Sequence, residues 1–325
     1  MTCFSGITPS GGATLGNYLG AISRWARDGR PGDLYFVSDL HGMTGAYHPQ
    51  RLRARTRELL ATLLAAGIEP EQLFVQSDLL PQLGALTWIL ECSCSFGEAA
   101  RMTQFKEKSS AKGLEATPVR VGLFTYPVLM AADILLQGAD EVPVGEDQAQ
   151  HVELARTLAR RFNGTFGDAF VVPRAVTPPA AARVRDLADP SRKMDKSARD
   201  SVGVLYVMDP PDLLRRKIRR AVTDSLGRLE YRPVEQPGLA NLLEILAACT
   251  GKPVREVGAG FGSYGDLKEA VAEAVVDELR PVRERTTELL AESAELDRIR
   301  ARGAELATAR GAHRLATAQR LAGVG

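Results

Sequence analysis

Short apolar runs alternate with helix-periodic segments through the first half of the chain. Thr2 to Ile7, Asp33 to Ser38, Leu73 to Gln76 and Glu141 to Val144 are dominated by apolar residues and read as strands. Between the second and third, Pro49 to Gly67 carries apolar residues at helical spacing and closes on a glycine, as a crossover helix should. Strands alternating with helices predict an α/β fold, a Rossmann-like doubly wound parallel sheet. Ligands of such sheets lie beyond the carboxyl ends of the strands. The turns after these strands, including Asp39 to Thr44 and Gly145 to Gln148, should therefore gather at one edge. After about Val204 the pattern becomes almost wholly helical, so the expected architecture adds a C-terminal all-helical part.

The chain's 325 residues are enough for two domains, and its 45% apolar and 25% charged content is that of an ordinary globular protein. A net charge of +1 provides no general basic field, which argues against a nonspecific nucleic-acid binder and leaves local Arg patches for any such contact. The densest patch is Arg215, Arg216, Lys217, Arg219 and Arg220, on a helix that starts at Pro210-Pro211-Asp212; it is either a solvated face or an RNA contact. No apolar run approaches the roughly 20 residues that span a membrane, and the start lacks a charged segment followed by a hydrophobic core, so a cytoplasmic protein is expected. Cys3, Cys92, Cys94 and Cys249 are too scattered for a disulfide framework, and Cys92-Ser93-Cys94 has no companion pair at zinc spacing. They are expected to be core thiols, with no metal site.

Lysine changes the picture more than any bulk property. Only eight of the 41 basic residues are Lys, and five of these fall in two stretches: Lys106, Lys108 and Lys112, then Lys193 and Lys196. An ammonium on a flexible stem suits a phosphate that moves, whereas the planar Arg fork suits fixed two-point contacts. The second stretch, Asp189-Pro190-Ser191-Arg192-Lys193-Met194-Asp195-Lys196-Ser197, is a proline-led cationic loop. At the other end of the chain, Phe4-Ser5-Gly6-Ile7 runs into a Gly/Ser/Pro turn and a helical pattern through Thr14-Leu15-Gly16-Asn17. Glycines there allow close approach of backbone to a nucleotide, and the helix start offers unpaired amides.

One further segment carries chemistry. Tyr126 to Leu136 is a strongly apolar helix with one carboxylate, and Tyr126, Met130 and Asp133 share a face at i, i+4 and i+7. A carboxylate on a buried helix needs a donor, which a neighbouring protein group or a ligand N–H could supply. An indole, with one N–H on a large apolar body, would suit such a stripe. Gly145-Glu146-Asp147-Gln148 leaves a strand and opens a helix, where Asp147 could serve as a cap or accept from ribose hydroxyls.

Together the two loops resemble the paired signatures of class I aminoacyl-tRNA synthetases. Thr14-Leu15-Gly16-Asn17 stands where that family carries His-Ile-Gly-His or Thr-Ile-Gly-Asn, and Lys193-Met194-Asp195-Lys196-Ser197 where it carries Lys-Met-Ser-Lys-Ser. The resemblance narrows to bacterial tryptophanyl-tRNA synthetases. Phe4 to Ile7, Asp39-Leu40-His41, Arg101 to Lys108, Tyr126 to Leu136, Val142 to His151 and Ala221 to Ser225 match that pattern in order, over nearly the whole chain.

The resemblance implies a ligase that joins L-tryptophan to ATP as tryptophanyl-adenylate, releases pyrophosphate and passes the aminoacyl group to tRNA(Trp). Lys193, Lys196, Lys106 and Lys108 would serve as the catalytic lysines, with Mg²⁺ bridging phosphate oxygens. ATP would meet Thr8, Ser10, Gly11, Gly16, Asn17, Gly145, Asp147, Met194 and Ser197. Tryptophan would lie among Phe4, His41, Tyr126, Met130, Asp133 and Gln148, with Asp133 taking the indole N–H and Tyr126 and Gln148 the amino group. It further implies a catalytic domain over residues 1–203 carrying the dimer contact, an anticodon-binding domain over 204–280, C-terminal helices over 281–325 packing back on the first domain, and a homodimer. No membrane role follows from it.

The chain also departs from the pattern. Asp195 puts a negative charge between two lysines and is expected to face solvent or pair with Arg192 or Arg199. Residues 109–120 are longer than the family pattern, and Thr8 stands where a long polar side chain is frequent. Two alternatives stay open: a tyrosyl-tRNA synthetase, and a synthetase paralogue that binds or regulates a partner without charging tRNA.

Overall fold

The structure, a computed structural model, describes residues 2–102, 120–176, 184–194 and 201–325; the side chains of Glu146, Asp147 and Ser201 are not among the groups described. Strand β1 (Phe4–Ile7) leads through α1 (Leu15–Asn17), a π-helical turn (Tyr18–Ile22) and α2 (Ser23–Asp28) to β2 (Leu34–Val37). α3 (Pro49–Ala65) crosses over to β3 (Leu73–Val75), and α4 (Leu80–Glu91), α5 (Phe96–Ala100) and α6 (Val121–Gln137) precede β4 (Glu141–Pro143). α7 (Glu146–Phe166) connects to β5 (Arg174–Val176). The remainder is helical: α8 (Pro211–Arg219), α9 (Pro237–Thr250), α10 (Tyr264–Ala291) and α11 (Ser293–Leu321).

All strand pairs are parallel. β1, β2 and β3 form one ladder, with Phe4 opposite Leu34 and Tyr35 opposite Leu73, and β4 pairs with β5. The two ladders meet where Cys3 bridges Glu141 and the amides of Asp140 and Glu141 both donate to the Thr2 carbonyl at 3.1 Å. The order across the sheet is thus β3-β2-β1-β4-β5, the doubly wound arrangement. The four expected strands are present, β2 shortened at both ends and the other three at one. β5 was not expected, because its three residues lie on the sheet edge and carry too little apolar pattern to stand out.

Period-two alternation sends side chains to two separate cores. Tyr35, Val37, Leu73 and Val75 face a cluster with Leu59, Leu60 and Leu63 of α3. Leu34, Phe36 and Phe74 face the other, with α4, α6 and α7. On that second face Phe36 stacks between Phe4 and Phe74, with ring centroids 4.7 and 5.2 Å away. Of the four cysteines, Cys3, Cys94 and Cys249 are half-buried and pack against the cores, whereas Cys92 departs from the expectation of core thiols: it is exposed and caps the C-terminal end of α4.

The first core does not stop at the sheet. It continues without a break into Leu214, Leu239, Leu243, Val271, Val275 and Leu279 of the helical half. α10 lies along α3, and α11 returns across β3, α4 and α6. The boundary expected at residues 280/281 therefore falls inside a single helix. Pro281 sits within α10, and Val282 beyond it is as buried as Leu279 before it. An interior proline removes one backbone hydrogen bond, and here the apolar stripe running through it outweighs that loss.

A shared core should unfold as one unit. Calorimetry is expected to show a single thermal transition, and Leu279→Ala, at a fully buried site, should shift that whole transition by the equivalent of about 2–5 kcal/mol; an early transition confined to the helical half would contradict the continuity of the core.

Candidate active site

The chain-order reversal between β1 and β4 opens the sheet at its carboxyl edge, and a cleft of about 2400 Å³ lies there. The turn after β1 supplies Thr8 and Ser10, the start of α1 supplies Gly16 and Asn17, and the segment after β2 supplies His41. α6 presents Tyr126, Met130 and Asp133 to the same space, and the start of α7 presents Gly145 and Gln148. Phe4, Lys193 and Met194 complete the set. Gly11 is buried behind the wall rather than on it. Lys106, Lys108, Asp195, Lys196, Ser197 and the side chain of Asp147 lie outside the described groups.

At one end stands the carboxylate of Asp133, which is 2% exposed. The Gln76 amide donates to both its oxygens, at 3.0 and 2.8 Å, and His41 Nε2 lies 3.0 Å from Oδ2. Gln76 is itself locked, because its carbonyl oxygen accepts the Leu40 amide at 3.0 Å. Burial pushes the Asp133 carboxyl above the usual carboxylate range, while the bonds from His41 and Gln76 pull the other way. The Tyr126 hydroxyl is 2.8 Å from His151 Nε2, and its ring meets His41 edge-on with centroids 6.1 Å apart. The expected donor to Asp133 thus comes from the protein as well. Two oxygens with several lone-pair directions can still accept a third, ligand-borne N–H.

At the other end the two signature stretches meet. Thr14 caps α1 reciprocally with Asn17, whose side-chain oxygen accepts the Thr14 amide at 3.1 Å. A Cβ placed on Gly16 would lie 3.6 Å from Val184 and 3.8 Å from Met194. Lys193 follows on the same strand-like segment, where Met194 donates to the Val184 carbonyl at 3.2 Å. Chain segments nearly 180 positions apart thereby lie side by side, with no room to spare beyond a Cβ at Gly16. Thr8 Oγ1 lies 2.9 Å from Ser38 Oγ, so its hydroxyl is tied to β2.

Several residues that line the cleft or hold its side chains carried no clear sequence signal. Gln76 was read only as the end of an apolar strand; a lone amide at the carboxyl end of a buried parallel strand was the available clue. Arg51 and Arg55 reach the cleft from α3, and Arg55 donates to the Ser10 carbonyl at 2.5 Å. Their i, i+4 spacing was hidden in an Arg-rich crossover helix. The cationic patch on α8 is largely committed within the protein. Arg215 pairs with Glu273 at 2.7 Å, Arg219 with Glu269 at 2.6 Å, and Lys217 is buried, leaving Arg216 and Arg220 exposed.

A doubly wound sheet with a cationic loop against its first glycine-rich turn, and an acid-tipped apolar pocket beside them, defines a nucleotide-dependent activating enzyme. The pattern of the class I tRNA synthetases (W and Y) matches residues 1–280, and the chain belongs to that family. Within it, tryptophan–tRNA ligase 1 of Streptomyces coelicolor is 52% identical over 310 residues, covering 94% of this chain and 92% of that protein. Tryptophan–tRNA ligase of Leifsonia xyli is 50% identical over 302 residues, covering 91% and 89%. The crystal structure of tryptophanyl-tRNA synthetase from Mycoplasma pneumoniae superposes with a TM-score of 0.89 at 36% identity, covering 100% of this chain and 98% of that one. The Campylobacter jejuni enzyme, solved in complex with ADP and tryptophan, gives 0.83 at 31% identity and full coverage of both chains.

The buried carboxylate sets a testable sign. Its folded-state pKa is raised, so its contribution to stability is present at low pH and is lost as pH rises through the folded value. Asp133→Asn should therefore raise the melting temperature of the ligand-free protein at pH 8, by roughly 2 °C or more, with the gain shrinking toward acid pH. Thermal scans across pH check this; a variant stabilised most at acid pH would reverse the assignment.

Proposed function

We propose that this chain activates L-tryptophan with ATP and transfers the tryptophanyl group to tRNA(Trp). The observation that carries the reading is one cleft with a donor-held carboxylate in an apolar wall at one end and a glycine-rich turn beside Lys193 at the other. The amino acid lies with its indole N–H toward Asp133, its ring along Phe4, His41 and Met130, and its amino group toward Tyr126 and Gln148. ATP lies over the turn at Thr8 and Ser10, along Gly16 and Asn17, with Gly145 and Asp147 at its ribose and Met194 and Ser197 from the lysine loop.

The carboxylate of tryptophan is already a charged nucleophile, so no side chain need be deprotonated. Its oxygen forms a bond to the α-phosphorus as the bond from that phosphorus to the bridging oxygen breaks, and pyrophosphate carries the electron pair away. Catalysis then rests on placement and on offsetting charge that builds on the phosphates. Lys193, with Lys196, Lys106 and Lys108, supplies that offset. Among the described residues no group of three or more His, Cys, Asp or Glu side chains stands together as a metal cage. Mg²⁺, bound with the nucleotide, would neutralise phosphate charge. The adenylate then passes its acyl group to a hydroxyl of the tRNA terminus, with AMP leaving.

A homodimer is part of the reading. Trp88 on α4, Phe96 on α5 and Val121 at the start of α6 are 68%, 77% and 75% exposed, and these helices pack together. Such a face in the nucleotide-fold half suits a second copy of the chain. Among the described residues no helix is long and apolar enough to cross a membrane, and the reading places the protein with tRNA in the cytoplasm.

Tryptophan should drive ATP–pyrophosphate exchange while tyrosine at equal concentration does not, and tRNA(Trp) should be charged in a parallel assay. Exchange driven by tyrosine would move the chain to the other branch of its family, and adenylate without charging would indicate a non-charging paralogue. Lys193→Ala should slow exchange by on the order of a hundredfold with tryptophan binding retained; an unchanged rate would remove Lys193 from the mechanism.

A further inference from the structure

Two buried polar side chains in the helical half have no part in the reaction as described, yet each grips the backbone of the cleft's nucleotide end. Asn241 on α9 is 2% exposed. Its carbonyl oxygen accepts the Arg185 amide at 2.9 Å, and its NH₂ donates to the Arg185 carbonyl at 3.1 Å. An asparagine thereby takes the place of a neighbouring strand on one side of Arg185. On the other side Arg185 forms an antiparallel bridge with Lys193. The flanking bonds, Asp186 N–H to the Arg192 carbonyl at 3.0 Å and Met194 N–H to Val184 at 3.2 Å, fix Lys193 to this segment.

Lys217 on α8 is 9% exposed. Its ammonium donates to the Val204 carbonyl at 2.7 Å and to Asp209 Oδ2 at 2.8 Å, and it sits 5.3 Å from the centre of the Tyr206 ring. The same Asp209 oxygen accepts the Tyr206 amide at 3.1 Å. This held segment is in turn paired with the glycine-rich turn. Leu15 N–H donates to Leu205 and Val207 N–H to Ala13, both at 2.8 Å, and Thr14 bridges Tyr206. The Tyr206 ring lies 3.1 Å from where a Cβ on Gly12 would stand, so a side chain there would press on that ring.

We propose that Asn241 and Lys217 are positioning residues for the nucleotide end of the cleft, Asn241 acting through Arg185 on Lys193 and Lys217 through Val204 and Tyr206 on the turn at 12–15. Both are desolvated groups whose bonds go to loop residues, to backbone for Asn241 and to backbone and the Asp209 carboxylate for Lys217, rather than to other helices. Removing either leaves buried backbone or carboxylate partners unmet, so the loops must shift to find new ones. The tryptophan end hangs on α6, β2 and β3 and shares none of these bonds. Damage should therefore be confined to ATP.

The assignment rests on the proposed ATP-dependent activity for its kinetic arm, and on hydrogen exchange for an arm that needs no activity. In Asn241→Leu, peptides covering 184–194 should exchange faster than in the unaltered protein. In Lys217→Met, peptides covering 12–17 and 203–209 should do so. In each, kcat/KM for ATP in pyrophosphate exchange should fall by about tenfold or more, with KM for tryptophan within about twofold. Leu239→Ala, a fully buried core change on the same α9, is the control. It should lower the melting temperature without faster local exchange at 184–194 and without an ATP-specific effect. If Asn241→Leu and Lys217→Met change tryptophan and ATP parameters equally, as Leu239→Ala would, the two residues are only structural and the assignment is overturned. If the unaltered protein shows no tryptophan-dependent exchange at all, the proposed function fails; unchanged local protection in the two variants would then still overturn the positioning role.

Discussion

A parallel sheet whose crossovers leave in opposite directions from its centre must open at one edge, and everything in this protein is arranged around that opening. The order of strands reverses between β1 and β4, and the cleft lies at their carboxyl ends. The turn after β1, the His41 segment after β2 and Gly145 after β4 converge there, while Gln76 after β3 lies fully buried and holds Asp133. Backbone and side chains at those ends lie beyond the last ladder bonds, where a ligand can approach them. The apolar stacking of Phe4, Phe36 and Phe74 immediately beneath makes the floor rigid.

Within the opening, polarity is rationed. One end keeps a single carboxylate in an apolar wall and holds it with an amide and an imidazole from two other elements. That arrangement costs stability, since burial raises the carboxyl pKa against the pull of its donors. A buried acceptor of this kind is suited to discriminating a ligand by one N–H, because its remaining lone pairs are left without water or a partner when the ligand lacks that group. The other end is built from backbone and cations, which suits a polyphosphate that must be held and then released.

The helical half is joined to this apparatus by an uninterrupted apolar core and by polar struts. Arg215 and Arg219 on α8 bind Glu273 and Glu269 of α10, so much of the positive charge that looked available for RNA is used to hold α8 against α10. Exposed pairs of this kind contribute little each. Their consequence lies in geometry: they orient the helix that carries Lys217.

The strands, the crossover helix, the cleft-facing stripe on α6 and the two signature loops were legible in the sequence, because each is encoded by neighbours within a few residues: period two, period 3.6, or a run of glycines and lysines. The resemblance of those motifs to a known family then extended the reading to substrate. What the sequence could not supply were partners far apart in the chain. Gln76 beneath Asp133, Asn241 against Arg185 and Lys217 beneath Tyr206 are ordinary polar residues in their local settings. The passage of α10 through Pro281 was likewise hidden, since the local rule says that proline ends a helix, and only packing along α3 overrides it. Local pattern decides which elements form, because it acts through short-range backbone and side-chain preferences. Tertiary packing alone decides which buried polar groups meet, because removing both from water is what forces each to find the other.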